Sequence, residues 1–197
     1  MIYRYMFVGY TKDVHSVKVT EHNKCYVALS SESGRPGTEP DIMFMYVESN
    51  EETVNPELLA DGHMIPFPDG KNWQRAMDIF HFSKPLNQEQ WRRKMEKDPL
   101  VMMMRLKPEK VSAYIFYHYQ YQEEKPGDGD RYGSIYLFGN EIIFYREMPM
   151  EKETEKMKGL LDTDLSPLDR WGEVMDDFFG EEWRTAENRA VSDYIEF

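Results

Sequence analysis

Between Leu106 and Trp171 the hydrophobic pattern switches from a helical period to strand alternation and back, and few folds accommodate that order in so short a stretch. Lys107-Pro108-Glu109 opens a helix, with the proline near the first turn, where its missing N–H costs nothing. The run to Gln122 then sets Val111, Tyr114, Ile115, His118 and Tyr121 along one stripe. The polar tips of Tyr114 and His118 therefore share a face. Pro126, Gly127 and Gly129 end the helix, and residues 132–138 and 141–146 predict two strands joined at Gly139-Asn140 as a β-hairpin. Residues 150–161 and 166–179 predict helices, the second with Ser166 as N-cap, Pro167 at the first helical position and Asp169 adding negative charge to the first turn. Residues 193–197 have the character of a short edge strand. Strand, helix, hairpin, helices and a closing strand make the ferredoxin-like α+β plan.

The first half admits two readings. Shifted by 96, the strand at 2–10 lies over 98–106, Lys12-Asp13 over Pro108-Glu109, Lys18 over Tyr114 and His22 over His118, which suggests a diverged tandem repeat. On that reading residues 42–48 and 77–82 are the two hairpin strands, 87–97 is the following helix, and 49–72 is a Pro-, Gly- and acid-rich insertion at the surface. The rival is local: residues 16–20 and 25–30 alternate and are rich in β-branched side chains, with Glu21-His22-Asn23-Lys24 as a turn, so that 1–48 is a β-meander. The fold class is thus α+β, either two ferredoxin-like halves in tandem or one such half preceded by a meander. Whether residues 13–31 are helix or hairpin stays open. Both readings divide the chain near Asp98-Pro99, into residues 1–98 and 99–197.

Charge and composition exclude several functions. Among 197 residues, 36 acidic side chains against 24 basic ones leave a formal charge of -12, which repels phosphate backbones and anionic membrane surfaces. Nucleic-acid binding is discarded. No apolar run of about 18 residues is present to span a bilayer, and the opening MIYRYMFVGYTKD lacks the basic and small-residue features of a signal peptide, so a cytoplasmic protein is expected. The lone Cys25 permits no internal disulfide and is expected as a small buried hydrophobe. His15 and His22 have no HExxH pattern or cysteine partner, so no metal site is predicted, and no cofactor.

Residues 101–197 resemble the L-rhamnose mutarotases, small enzymes of the dimeric α/β barrel type. The matching residues are Lys107-Pro108-Glu109, Tyr114 and His118, Ser134-Ile135-Tyr136-Leu137, Ile143-Phe144, Asp169-Arg170-Trp171 with Met175, and the terminal Tyr194-Ile195-Glu196-Phe197. The resemblance implies that His118 is the general acid, that Tyr114 touches the sugar, and that Trp171 packs against it. It departs at two positions: a second Trp falls on Gly172, and a Tyr entering the first hairpin strand falls on Gly133, with Tyr132 one place out of register. A one-residue offset turns a side chain to the opposite face, so Tyr132 takes over the substrate-binding role only across a bulge.

Anomer interconversion needs acid and base but no cofactor, and a histidine with a pKa near 6.5 serves both. His118 is accordingly the candidate catalytic residue, with Tyr114, Tyr132 and Trp171 as substrate-binding candidates. The expected partner is a small sugar, a deoxyhexose such as L-rhamnose, and the expected assembly a homodimer or a monomer containing an internal pseudo-dimer. Gly133 and Gly172 thin the aromatic site and motivate a second reading, a non-catalytic binding protein such as an acidic immunity-type inhibitor of a basic toxin. A third is a cofactor-free monooxygenase or decarboxylase-like enzyme on the same barrel.

Overall fold

The computed structural model describes residues 1–20, 25–32, 40–84, 91–92, 97–153, 157–179 and 193–195. The chain is α+β, and its strands pair mostly antiparallel. Among the described residues no helix is long and apolar enough to cross a membrane. The chain forms two compact units, both discontinuous in sequence.

One unit comprises Met1–Ala76, Pro85–Val101 and Asn188–Phe197. Its strands are β1 (Tyr3–Thr11), β2 (Lys18–Val19), β3 (Cys25–Glu32), β4 (Asp41–Ser49), β5 (Ala60–Asp61), β6 (Met64–Ile65) and the start of β7 (Gln74–His81). The order is β3-β4-β1-β7, with β4 antiparallel to β1 (Phe7 opposite Met45) and to β3 (Val27 opposite Val47). Alternation sends Tyr5, Phe7, Val27, Leu29, Met45 and Val47 to one face, where they form a core with Trp73 and the buried Cys25. Burying that face is the main favourable term for the unit.

Strands form at 18–19 and 25–32, within the runs the meander reading named, but the first pairs with 60–61 and not with the second, so the expected hairpin between them does not form. A 3-10 turn at Val14–Ser16, capped by the Asp13 side chain accepting from the His15 N–H, leads into β2 and then β3. No helix like that of Tyr114 and His118 forms there in the described residues, because Val17, Cys25, Val27 and Leu29 are all drawn into the sheet's core; His22 lies outside the described residues. β4 pairs with β1 and β3 and not with the strand at 74–81, which overturns the expected first-half hairpin. The predicted helix at 87–97 lies mostly outside the described residues. The insertion after β4 is largely exposed, with its two-residue strands β5 and β6 set against β2 and β1. Glu57 closes it by accepting from the Asn72 and Trp73 N–H groups at 2.9 and 3.1 Å.

The other unit comprises Met77–Lys84 and Met102–Glu187. It contains the end of β7, the end of β8 (Asp98–Arg105), β9 (Ser134–Phe138), β10 (Glu141–Met148), and helices α1 (Val111–Glu124) and α2 (Trp171–Asp176). Its order is β7-β9-β10-β8. The predicted hairpin is β9–β10, where Gly139 takes φ +65°, a left-handed conformation that glycine adopts without strain. Asn140 ties this turn to the end of β8 through Nδ2 donating to the Leu106 carbonyl and its own carbonyl accepting from the Leu106 N–H, each at 2.8 Å.

In the described residues, one predicted helix is shorter and the other does not form. The described residues of 150–161 are irregular, because Gly159–Leu161 is bound to the end of α1: the Leu160 N–H donates to the Glu123 carboxylate at 3.0 Å and the Leu161 N–H to the Glu123 carbonyl at 3.2 Å. Ser166 is not an N-cap. Its N–H donates to Glu124, and the helical stretch starts later, as a 3-10 turn at Leu168–Arg170 that continues into α2. The terminal segment forms β11 (Asp193–Ile195), antiparallel to β3, so it completes the sheet of the first-described unit. In both halves of the sequence the first three long strands stand in the order second, third, first: β3-β4-β1 and β9-β10-β8.

Candidate functional site

The 3-10 turn Pro108–Lys110 starts α1, and Tyr114 and His118 follow one helical turn apart on its buried face. Tyr114 packs into a cluster with Phe80, Ile135, Leu106, Met175 and Phe178, and the His118 ring stands against Phe80. Beside them opens a cavity of about 340 Å³. Its polar tips belong to Tyr114, His118, Tyr121 and Trp171, and the remaining wall is Phe80, Phe82, Phe144, Phe179, Ile135 and three methionines. No charged side chain lines it among the described residues.

His118 is 4% exposed and sits between three rings. Tyr114 lies alongside it at a centroid distance of 4.0 Å, and Phe80 and Trp171 present edge-on contacts at 5.1 and 5.0 Å. Its Nδ1 is 2.9 Å from the Tyr114 carbonyl. A carbonyl only accepts, so Nδ1 carries the proton and Nε2 holds a lone pair in the neutral ring. Burial lowers the His118 pKa to about 4, outweighing the upward pull of that hydrogen bond. The imidazole is therefore neutral at pH 7, and Nε2 has no partner among the described residues.

Burial likewise raises the Tyr114 phenol well above its ordinary pKa, and its hydroxyl makes no hydrogen bond among the described residues. Tyr121 is pushed up to about 12 by burial and by Asp128, whose Oδ2 accepts from the phenol at 3.4 Å. Two buried side chains thus offer unfilled polar atoms to one apolar cavity. An unfilled buried polar atom is costly unless a water or ligand reaches it.

Of the four predicted site residues, His118, Tyr114 and Trp171 come together. Tyr132 does not line the cavity. It is 1% exposed, and its N–H donates to Asp130 Oδ1 at 3.3 Å in the turn before β9. Position 133 is the one beside the wall, where a Cβ would meet the Phe82 ring at 3.2 Å. The open space at Gly172 has nothing within 4 Å of a built Cβ. Glu147, on β10, is fully buried and accepts from the Tyr145 hydroxyl at 2.6 Å, away from the cavity lining.

Sequence reading missed Phe80 and Phe82, which belong to the first half of the chain. β7 carries a bulge between Asp78 and Phe80: Asp78 stands opposite Tyr136 while Phe80 stands opposite Ile135. In-register pairing would set Ile79 opposite Ile135 and turn Phe80 and Phe82 to the other face, so the extra residue delivers both rings to the cavity. Met102 and Met104, on β8, also line it. Among the described residues no cluster of His, Cys, Asp and Glu could hold a metal ion. No protein-family model, no curated protein and no solved structure matches the chain.

Proposed function

We propose that the cavity is a small-molecule site of mutarotase type, interconverting the anomers of a free deoxyhexose with His118 moving the proton. The observation that carries the reading is the meeting of Tyr114, His118 and Trp171 at one cavity large enough for a six-membered ring, with the Tyr114 hydroxyl and His118 Nε2 unfilled. Neutral His118 begins as the base. Nε2 takes the proton from the anomeric hydroxyl as the bond from C1 to the ring oxygen breaks and C1 becomes a carbonyl. The same nitrogen then delivers that proton to the ring oxygen, which it reaches because both oxygens were bonded to C1. Rotation about the C1–C2 bond, which turns the other face of the carbonyl to the ring oxygen, and the reverse steps give the other anomer. Tyr114, kept neutral by burial, donates a hydrogen bond to the sugar, and Trp171 offers a flat face to its C–H groups.

The strand orders β3-β4-β1 and β9-β10-β8 support a tandem of ferredoxin-like halves. Each sheet is completed by a strand from the other half of the sequence, β11 on β3 and β7 on β9, which supports a single chain serving as its own pseudo-dimer. The apolar lining favours a second reading, binding without chemistry. Saturation-transfer NMR on L-rhamnose and related hexoses separates them. Acceleration of anomer exchange that His118→Ala lowers by at least about a hundredfold, and Tyr114→Phe by less, supports catalysis. Wild-type protein that accelerates no sugar leaves binding as the function.

A further inference from the structure

Phe82 occupies a slot made by two glycines. A Cβ built on Gly129 would lie 2.6 Å from Phe82 Cγ and closer still to two other ring atoms, and one on Gly133 would lie 3.2 Å from Cδ2. Any larger residue at 129 would take the space the ring fills. The backbone holds the ring's base as well, with the Gly127 N–H donating to the Phe82 carbonyl at 2.7 Å and the Phe82 N–H to the Gly133 carbonyl at 3.4 Å. The ring stands edge-on to Phe80 at 4.6 Å and to Tyr121 at 5.8 Å, whereas the ring contacts of His118 are with Tyr114, Phe80 and Trp171. Phe82 is therefore one ring removed from His118; of the polar tips it adjoins Tyr121, whose hydroxyl donates to Asp128 at 3.4 Å, and it lines the same cavity.

We propose that Phe82 is the specificity-determining wall of this cavity, selecting a ring that carries its polar groups on one edge and C–H or methyl groups on the edge facing Phe82. This rests on reading the cavity as a ligand site. The physical basis is that a phenyl ring neither donates nor accepts a strong hydrogen bond, so a ligand hydroxyl set against it loses its water and gains nothing. An apolar wall of this kind disfavours an added hydroxyl by up to about a hundredfold. The slot itself shows why the wall is a phenylalanine from β7's end and not a side chain at 133: the two glycines leave the room, and the bulge in β7 points the ring into it.

p-Cresol and hydroquinone test this, since they share a phenol and differ only in a methyl or a hydroxyl at the far end. Ligand-observed NMR titrations of the full chain are expected to show p-cresol binding at least about tenfold more tightly than hydroquinone. Phe82→Leu should keep that ratio. Phe82→Tyr, which adds a hydroxyl to the same ring, should narrow it to about threefold or less. Thermal denaturation serves as the folding control, and Phe82→Ser takes the place of Phe82→Tyr if the latter does not fold. A ratio unchanged in the folded polar variant, equal wild-type binding of the two phenols, or no binding of either overturns the assignment. Selective phenol binding that depends on Phe82, with no acceleration of sugar anomer exchange, upholds the wall while removing the mutarotase reading.

Discussion

His118→Leu isolates the energetic signature of a buried neutral imidazole. In the folded protein the pKa of His118 is about 4, and in the unfolded chain it returns to the ordinary 6.5. The unfolded state therefore binds the proton first as pH falls. Stability is unaffected by this residue above about pH 6.5, declines as pH drops below that, and levels off once the folded pKa near 4 is passed. Each pH unit in that window costs about 1.4 kcal/mol, so the loss reaches about 2 kcal/mol at pH 5 and about 3 kcal/mol below pH 4. Leucine has no proton to bind and abolishes this contribution, while removing the bond to the Tyr114 carbonyl, worth about 1 kcal/mol at any pH. Urea denaturation of wild type and variant at pH 7.5 and 5.0 measures both. The expected result is a variant slightly less stable at pH 7.5 whose deficit vanishes or reverses at pH 5. Parallel pH dependences, or a His118 ring resonance titrating at pH 6 or above, would refute the argument that burial withdraws the proton from this ring.

Two further outcomes follow from contacts outside the cavity. Glu48 is 2% exposed on β4 and accepts from Tyr46 Oη, Trp91 Nε1 and Arg92; burial would raise its pKa, but the Arg92 guanidinium at 2.7 Å leads the groups holding it below the usual carboxylate range. Arg92→Ala should cost about 3 to 5 kcal/mol by urea denaturation, because it strands a buried carboxylate, and a second change, Glu48→Gln, should recover part of that loss. A Cβ at Gly159 would lie 2.6 Å from the Glu123 carbonyl carbon, so Gly159→Ala should loosen the strap to α1 and raise hydrogen exchange at the Leu160 and Leu161 amides, with unchanged exchange showing that the chain bends elsewhere.

Much of the unit holding the site was legible in local pattern. The proline start, the 3.6-residue spacing of Tyr114 and His118, and the Gly139-Asn140 turn are short-range signals, and α1 and the β9–β10 hairpin form where those signals lie. Burial of Cys25 was legible for the same reason, since it sits in an alternating run that has to cover one face of β3. The helix predicted at 150–161 does not form in the described residues of that range, because local pattern supports a helix only when nothing longer-range competes. Here Glu123 takes hydrogen bonds from the Leu160 and Leu161 N–H groups and holds that end of the range irregular.

The site's outer wall was decided by tertiary structure alone. Periodicity places a side chain relative to its neighbours on one element, so it set Tyr114 and His118 together. It carries no information about which strand from another part of the chain lies alongside, or about register. Phe80 and Phe82 reach the cavity because β7 joins β9 some 55 positions later in sequence, and because one extra residue at the bulge reverses which face they occupy. The His118 pKa has the same origin: a histidine's residue type sets 6.5, and only the rings folded around it withdraw the water that would hold its charge.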